Sequence, residues 1–444
     1  MAAGMRSCTN SRSGFVKRKT LFKGIKYLDS ATMLLISGDI YIEDSVIVEV
    51  GKSLSVSNDV TVIDSGHLIA FPGLVNAHLH PSKEIYGSIL DASPIDVVLD
   101  SVHKNNELET PEGQYTAALK ALTAGIKKGV TTFGLFTSRA EHDIKAAKLA
   151  GCRCTVNFCQ SNTWVGKGHS PQHSSVDAAC DKFNSALSLY RDALISVTPA
   201  TASELSADDH LLLALHEIAQ KNNTRFVLHV HEGKIQVDLH TREYEKSGIQ
   251  RLADLNILDQ STTLVHCCHL SAEDIRLLKG SQSQIIHCPV SNSFVGAGSF
   301  PISELLNDVN IGLGTDAAMV NPGNNLAFDA MFALYHHGDA DFSKKITAAK
   351  LLNLLTEGGA KTLGLENVGK IGSNYKADLI FFEKSKIDTD YINTPVSLLK
   401  LLSNEYPSCV LIDGNKIIID GQFVNEGIKE NDAEFKTLRE QVKI

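Results

Sequence analysis

IAFPGLVNA, residues 69–77, is an apolar, β-rich run, and two histidines, His78 and His80, follow it. Seven further runs of the same kind come after it. They are GVTTFGLF at 129–136, CRCTVNFCQ at 152–160, LISVTPA at 194–200, TRFVLHVH at 224–231, TTLVHCCH at 262–269, SQIIHCPV at 283–290 and NIGLGTD at 310–316. Helical patterns fill most of the gaps. Thr110-Pro111 sets a cap and an early proline before YTAALKALTAGIKKG, and Ser206 to Asp209 and Ser271 to Asp274 resemble capping boxes. Strand and helix in regular alternation predict a parallel sheet, and eight units predict an α/β fold, a closed (β/α)8 TIM-type barrel. An open doubly wound sheet has fewer strands as a rule, and no Gly-x-Gly-x-x-Gly follows the first strand.

Both flanks read differently. GDIYIEDSVIVEVGKSLSV (38–56) and DVTVID (59–64) are short β-branched runs, and ADLIFFE (377–383), CVLIDGN (409–415) and KIIIDGQFV (416–424) return to that style with Asp-Gly turns. The predicted division is a disordered lead-in over 1–19, a β unit from 20–68 plus 371–428, a barrel over 69–370 and a tail over 429–444.

The chain has 444 residues, 43% of them hydrophobic, and a net charge of −9. That balance suits a soluble globular protein and argues against a nucleic-acid or anionic-membrane binder, which needs a basic face. No apolar run is long enough for a transmembrane helix, and the basic start lacks the apolar segment of a secretory signal. Nine cysteines without a C-x-x-C read as reduced, buried thiols, so a cytoplasmic location is expected.

The chemistry-bearing residues fall at strand ends. His78 and His80 are two apart, so on a strand both imidazoles point to one side. His229 and His231 end the fifth run, His266 and His269 the sixth, His287 lies on the seventh and Asp316 ends the eighth. Barrel enzymes place their catalytic groups at these carboxyl ends. A single histidine is most often a hydrogen-bonded core or loop residue. Four ligand-type residues at corresponding strand ends, His78, His80, His229 and Asp316, are harder to explain as packing and could form the shell of a catalytic Zn2+ or Fe2+.

PGLVNAHLH (72–80), HVHE (229–232), VHCCH (265–269), HCPVSN (287–292) and GLGTD (312–316) occur in the order typical of the metal-dependent amidohydrolase superfamily. The chain resembles its cytosine, guanine and adenosylhomocysteine deaminase and triazine chlorohydrolase branch. GDIYIEDSVIVEVG and GKIGSNYKADLIFFE (369–383) are similar to that family's β-sandwich halves, so the resemblance spans about residues 20–425. It implies one divalent ion, Zn2+ first and Fe2+ as the alternative, on His78, His80 and His229, with Asp316 a further ligand or close contact that also takes the proton from the metal-bound water. It implies that Glu232 shuttles a proton to the substrate's ring nitrogen, and that His266 orients the water or polarises the carbon. Strand alternation would put His231, not Glu232, on the side of His229, so the implied role of Glu232 requires the strand to end before it. Binuclear members need a Lys or Glu at the end of strand three or four; the runs at 152–160 and 194–200 hold neither, which favours a single ion.

Other residues take second places. His287 reads as structural, Ser291 as shaping the loop after strand seven, Asn292 as shaping it and a candidate substrate contact, and Trp164 as a flat wall for a heterocycle or a surface residue. His336 and His337 read as structural. Cys267 and Cys288 fall on the opposite side of their strands from His266 and His287. Many deaminases of the branch carry a His after the strand-four proline and an Arg soon after His-x-His. Here the segments are Pro199-Ala200-Thr201 and PSKEIYG, with Lys83 and Glu84. Both departures fall where substrate is expected. The expected function is therefore a mononuclear hydrolase deaminating a small N-heterocyclic or amidine-like molecule. Opening of a cyclic amide, as in imidazolonepropionase-like members, and chlorohydrolase-type release are the alternatives, and a non-catalytic scaffold is the third reading. A homo-oligomer is compatible with the resemblance.

Overall fold

The structure, a computed structural model, describes residues 18–87, 91, 93–106, 109–190, 192–338, 346–386 and 393–441. Nearly all of the expected lead-in lies outside the described residues. Five strands come first: β1 (Lys19–Asp29), β2 (Leu34–Glu43), β3 (Val46–Gly51), β4 (Thr61–Asp64) and β5 (Leu68–Pro72). The eight-stranded sheet follows: β6 (Leu74–Leu79), β7 (Val130–Thr137), β8 (Arg153–Gln160), β9 (Ile195–Ser203), β10 (Phe226–Val230), β11 (Thr262–His266), β12 (Gln284–His287) and β13 (Asn310–Leu313). Four late strands complete the set: β14 (Leu379–Glu383), β15 (Cys409–Ile412), β16 (Asn415–Ile419) and β17 (Gln422–Phe423).

Each neighbouring pair from β6 to β13 is parallel, and chain order equals sheet order. The edges come together at one bridge, Leu79 to Asp316, where the Asp316 N–H donates to the His78 carbonyl at 3.0 Å. Gly314 permits that approach, because a Cβ there would stand 2.6 Å from the His78 Cβ. The sheet is thus a nearly closed barrel.

The first run, read as one strand, is two. β5 pairs antiparallel with β14, and β6 begins the barrel. Gly73 turns the chain between the sheets, and a Cβ there would meet the Thr131 Oγ1 at 2.0 Å. The β5–β14 pairing joins the N- and C-terminal segments into one mixed nine-stranded sheet. It has its own core of Phe22, Ile25, Ile40, Ile47, Leu379 and Phe381. Arg153, at the start of β8, ties this sheet to the barrel through a bidentate pair with Asp378 (2.7 and 3.1 Å) and a bond to Asp413.

Val75, Ala77, Phe136, Cys159, Ala200, Val227, Val265, Ile286 and Cys288 form one cluster, drawn from seven strands and the residue after β12. Only a barrel interior brings such residues together. Ala360, Leu363 and Val368 join them from one end, and Thr263 near the start of β11 donates to the Thr362 carbonyl there. That end is therefore plugged, and the cavity lies at the other. Leu74, Phe133, Val156, Leu228 and Leu264 point outward against the helices; burying each such side chain stabilises by roughly 1.5–3 kcal/mol.

Residues assigned to a tail hold a helix, Gly427–Gln441. It packs Phe435 against Ile85 and Tyr86, and Asn431 donates to the Thr116 carbonyl. Its polar composition, with apolar residues only at wide spacing, hid it in the sequence.

Candidate functional site

A cavity of about 590 Å3 opens at the carboxyl ends of the barrel strands, lined by His80, His229, Glu232, His266 and Asp316 among others. Two groups of ligand-type side chains meet there among the described residues, His78 with His80 and His229, and His78 with His266 and Asp316. Within each group the ligand atoms lie within 4.8 Å of one another. The His78 and His229 Nε2 atoms are 3.1 Å apart, and the Asp316 Oδ1 is 3.6 Å from His78 Nε2 and 3.4 Å from His80 Nε2.

These groups suit a cation. Burial lowers the pKa of His78 and His229 and takes His80 down to about 3, so all three imidazoles are neutral. His229 donates its Nδ1 proton to the Ala202 carbonyl, which leaves a lone pair on Nε2 facing His78. Burial works against ionisation of Asp316, but its hydrogen bond with the His78 side chain opposes that, and the carboxyl lies well below its ordinary range. Ser291 Oγ donates to its Oδ2 at 2.6 Å and the Ala317 N–H to its Oδ1. Three neutral nitrogens and one fixed carboxylate are a donor set for Zn2+ or Fe2+. Phe136, at the end of β7, covers the group with its ring centroid 4.4 Å from that of His229 and 5.3 Å from that of His80.

Glu232 reaches the cavity by a backbone device. β10 stops at Val230, and His231 takes a left-handed φ of 52°. That residue turns the chain, so the next side chain faces the cavity. Such a conformation costs on the order of 1–3 kcal/mol. His231 is held in it by its own bonds: Gly248 N–H donates to its Nε2, its Nδ1 donates to the His269 carbonyl, and its N–H donates to Glu204 Oε1. His231 is thus a structural residue. Burial first, and the Asp316 charge third after an opposing His266, raise Glu232 to about 7. Its Oε1 is 3.5 Å from His266 Nε2.

His266 uses the same device. Val265 is interior, so alternation would turn His266 outward. A φ of 76° brings it to the cavity, and Cys267, at φ 52°, returns to the outer core. Asp316 also sits at a positive φ, 64°.

Several sequence readings change. Asn292 is not on the cavity wall; its Oδ1 accepts from His266 Nδ1 at 2.8 Å, so it grips a site residue from behind. His287 points out of the barrel, to His337 and Phe300, and it is Cys288 that lies inside. Cys288 and His287 do face opposite ways, but in the reverse sense to a ligand histidine. Trp164 lines the cavity edge-on to His103, 4.9 Å between centroids. Lys83 lines it too and pairs with Glu109, while Glu84 is half-buried and accepts from the Asn324 Nδ2 at 3.2 Å.

Glu204 was missed. β9 runs three residues past the predicted end, to Ser203, and puts this buried carboxyl on the cavity wall. Burial raises it to about 7 against the pull of the His231 N–H. It belongs to neither cation group.

Comparison with known proteins agrees with this architecture. The amidohydrolase family profile matches residues 69–417, and the chain belongs to the amidohydrolase family. Among its relatives, a 5-methylthioadenosine/S-adenosylhomocysteine deaminase of Acetivibrio thermocellus is 30% identical over 86% of this chain and 85% of its own. A 5'-deoxyadenosine deaminase of Methanosphaera stadtmanae is 28% identical over 89% and 92%. A zinc-complexed atrazine chlorohydrolase from Arthrobacter aurescens superposes with a TM-score of 0.87 at 21% identity, covering 95% of this chain and all of the other. A zinc-bound adenosine deaminase from Xanthomonas campestris gives 0.83 at 21%, covering 96% and 98%. No described helix is long and apolar enough to cross a membrane.

Proposed function

We propose that this protein is a mononuclear, metal-dependent aminohydrolase of the cytoplasm that deaminates a small N-heterocycle, with adenine nucleosides altered at the 5' position the first class to try. The observation that carries the reading is the pairing of a cation-type group with a separate carboxyl, Glu232, that holds a proton near neutrality. The names of the relatives support the substrate class.

His78, His80 and His229 would hold the ion, with Asp316 a further ligand or close contact. Zn2+ is the first choice and Fe2+ the alternative. A divalent ion held there acidifies water and supplies a nucleophile at neutral pH. Asp316, fixed by Ser291 and the Ala317 N–H, accepts the proton that the attacking water gives up. Glu232 donates its proton to the ring nitrogen next to the carbon under attack, so that nitrogen never bears a full negative charge. His266 stands beside Glu232 and orients the water. A C–O bond forms, Asp316 passes the water proton to the exocyclic amino group, and the C–N bond breaks to release ammonia while the new hydroxyl gives its proton back to Glu232. Trp164 offers a flat wall to the rest of the substrate.

The test is ammonia release from 5'-deoxyadenosine, 5-methylthioadenosine, S-adenosylhomocysteine, cytosine, guanine, pterins and triazines by metal-loaded enzyme. Release from at least one of them, lost by about 10²–10⁴-fold in Glu232→Gln with metal content unchanged, is expected. Turnover unchanged in that variant, or product without ammonia, overturns the reading.

A further inference from the structure

His287 and His337, which the reaction does not use, are joined to it through hydrogen bonds. His266 Nδ1 faces Asn292 Oδ1 at 2.8 Å. The Asn292 Nδ2 faces His287 Nδ1 at 3.5 Å. The His287 Nε2 then faces His337 Nε2 at 2.9 Å. The first three residues are 1% exposed, whereas His337 caps the helix Leu326–His336 and is only half-buried.

Hydrogen-bond polarity makes this chain cooperative. An amide oxygen only accepts, so His266 donates from Nδ1 and carries its lone pair on Nε2. An amide nitrogen only donates, so His287 accepts at Nδ1 and carries its proton on Nε2. That proton needs an acceptor, and the lone pair on His337 Nε2 provides it. Reversing any one link leaves two donors or two acceptors face to face in a buried place, which costs about 1–3 kcal/mol. The chain therefore has two consistent states. In one, His266 offers a lone pair from Nε2 towards Glu232; in the other, an N–H. The outer end selects between them.

We propose that His337 is a positioning residue for the active site: through His287 and Asn292 it fixes the tautomer of His266, and so keeps the nitrogen beside Glu232 an acceptor. The catalytic consequence rests on the function proposed above; the tautomer does not.

Two variants test it in the metal-loaded enzyme. His337→Phe fills the space but removes the acceptor. His337→Gln restores an acceptor through its amide oxygen. The ¹⁵N signals of the His266 ring, assigned by their loss in His266→Gln, are expected to leave the Nδ1–H pattern in His337→Phe and keep it in His337→Gln. With a substrate from the ammonia screen, kcat should fall about 10–100-fold in His337→Phe with KM within threefold, and return in His337→Gln. Asn292→Asp accepts from both rings and cuts the link, so on that background His337→Phe should change kcat by less than twofold. An unaltered His266 tautomer in His337→Phe, equal losses in the Phe and Gln variants, or an undiminished effect on the Asn292→Asp background each overturn the proposal. If His337→Phe does not fold, His337→Leu takes its place under the same criteria. Absence of ammonia release with the tautomer shift intact counts against the proposed reaction and leaves the relay standing.

Discussion

The ends of β6 and β10 both present His-x-His, and they use it differently. On β6, His78 and His80 both belong to the cation group. A register irregularity between Asn76 and Leu79 sets their phase, and Leu79 between them packs outward. On β10, His229 enters the group and His231 leaves it, because the chain turns left-handed at His231. The position two after the first histidine is thus a ligand candidate on one strand and a strut on the other. The difference teaches that the period of two holds while the backbone stays extended. One positive-φ residue ends it, and the side chain gained at that corner is Glu232.

The sharpest way to break this comparison is to remove both second histidines. His80→Ala should lose the metal and take turnover to background, measured by metal content and ammonia release. Next in size is Glu232→Gln, with metal retained and turnover reduced about 10²–10⁴-fold. His231→Ala should retain the metal and cost about 10–100-fold in kcat, since it loosens the corner that aims Glu232. Equal metal loss in His80→Ala and His231→Ala would mean that β10 stays extended and the corner is wrong.

The smallest effect concerns pH and stability away from the strand ends. Asp329 is fully buried with Asn321 donating to both its oxygens, and burial raises it to about 8. The unfolded chain releases that proton near 3.9. The folded state therefore favours the protonated acid. Its contribution to stability is present below pH 4 and is lost as pH rises towards 8. Asp329→Asn removes the titration, so its melting temperature relative to the parent should improve by a few degrees between pH 5 and pH 8.5. A difference constant across that range would refute the protonated state.

Much of this was legible in the residues. The eight apolar runs became β6 to β13 in order, because parallel strands covered on both faces leave continuous β-branched patterns. The cation group was legible because histidines and Asp316 fall at carboxyl ends. What was not legible has local causes. IAFPGLVNA looks like one strand, since only the Pro72-Gly73 pair marks the passage from one sheet to the other. His287 read as structural, and the sequence left open that it points outward and Cys288 inward, since that depends on where β12 lies in phase. Glu204 was hidden because the end of β9 is set by its neighbours' pairing, not by its own Ala-Thr-Ala-Ser sequence.

By itself, then, the sequence determined the alternation of strand and helix, the site's place at the barrel mouth and the kinds of group gathered there. These are carried by hydrophobic period and residue chemistry, both local. Tertiary structure decided which of those groups converge. Asn76 and Thr315 are 239 residues apart and hydrogen-bonded, and the closure they help to make brings Asp316 to His78. It also decided which residues turn left-handed. His231, His266 and Asp316 hold that strained backbone because surrounding bonds and packing outweigh its cost, and no composition or spacing records such a balance.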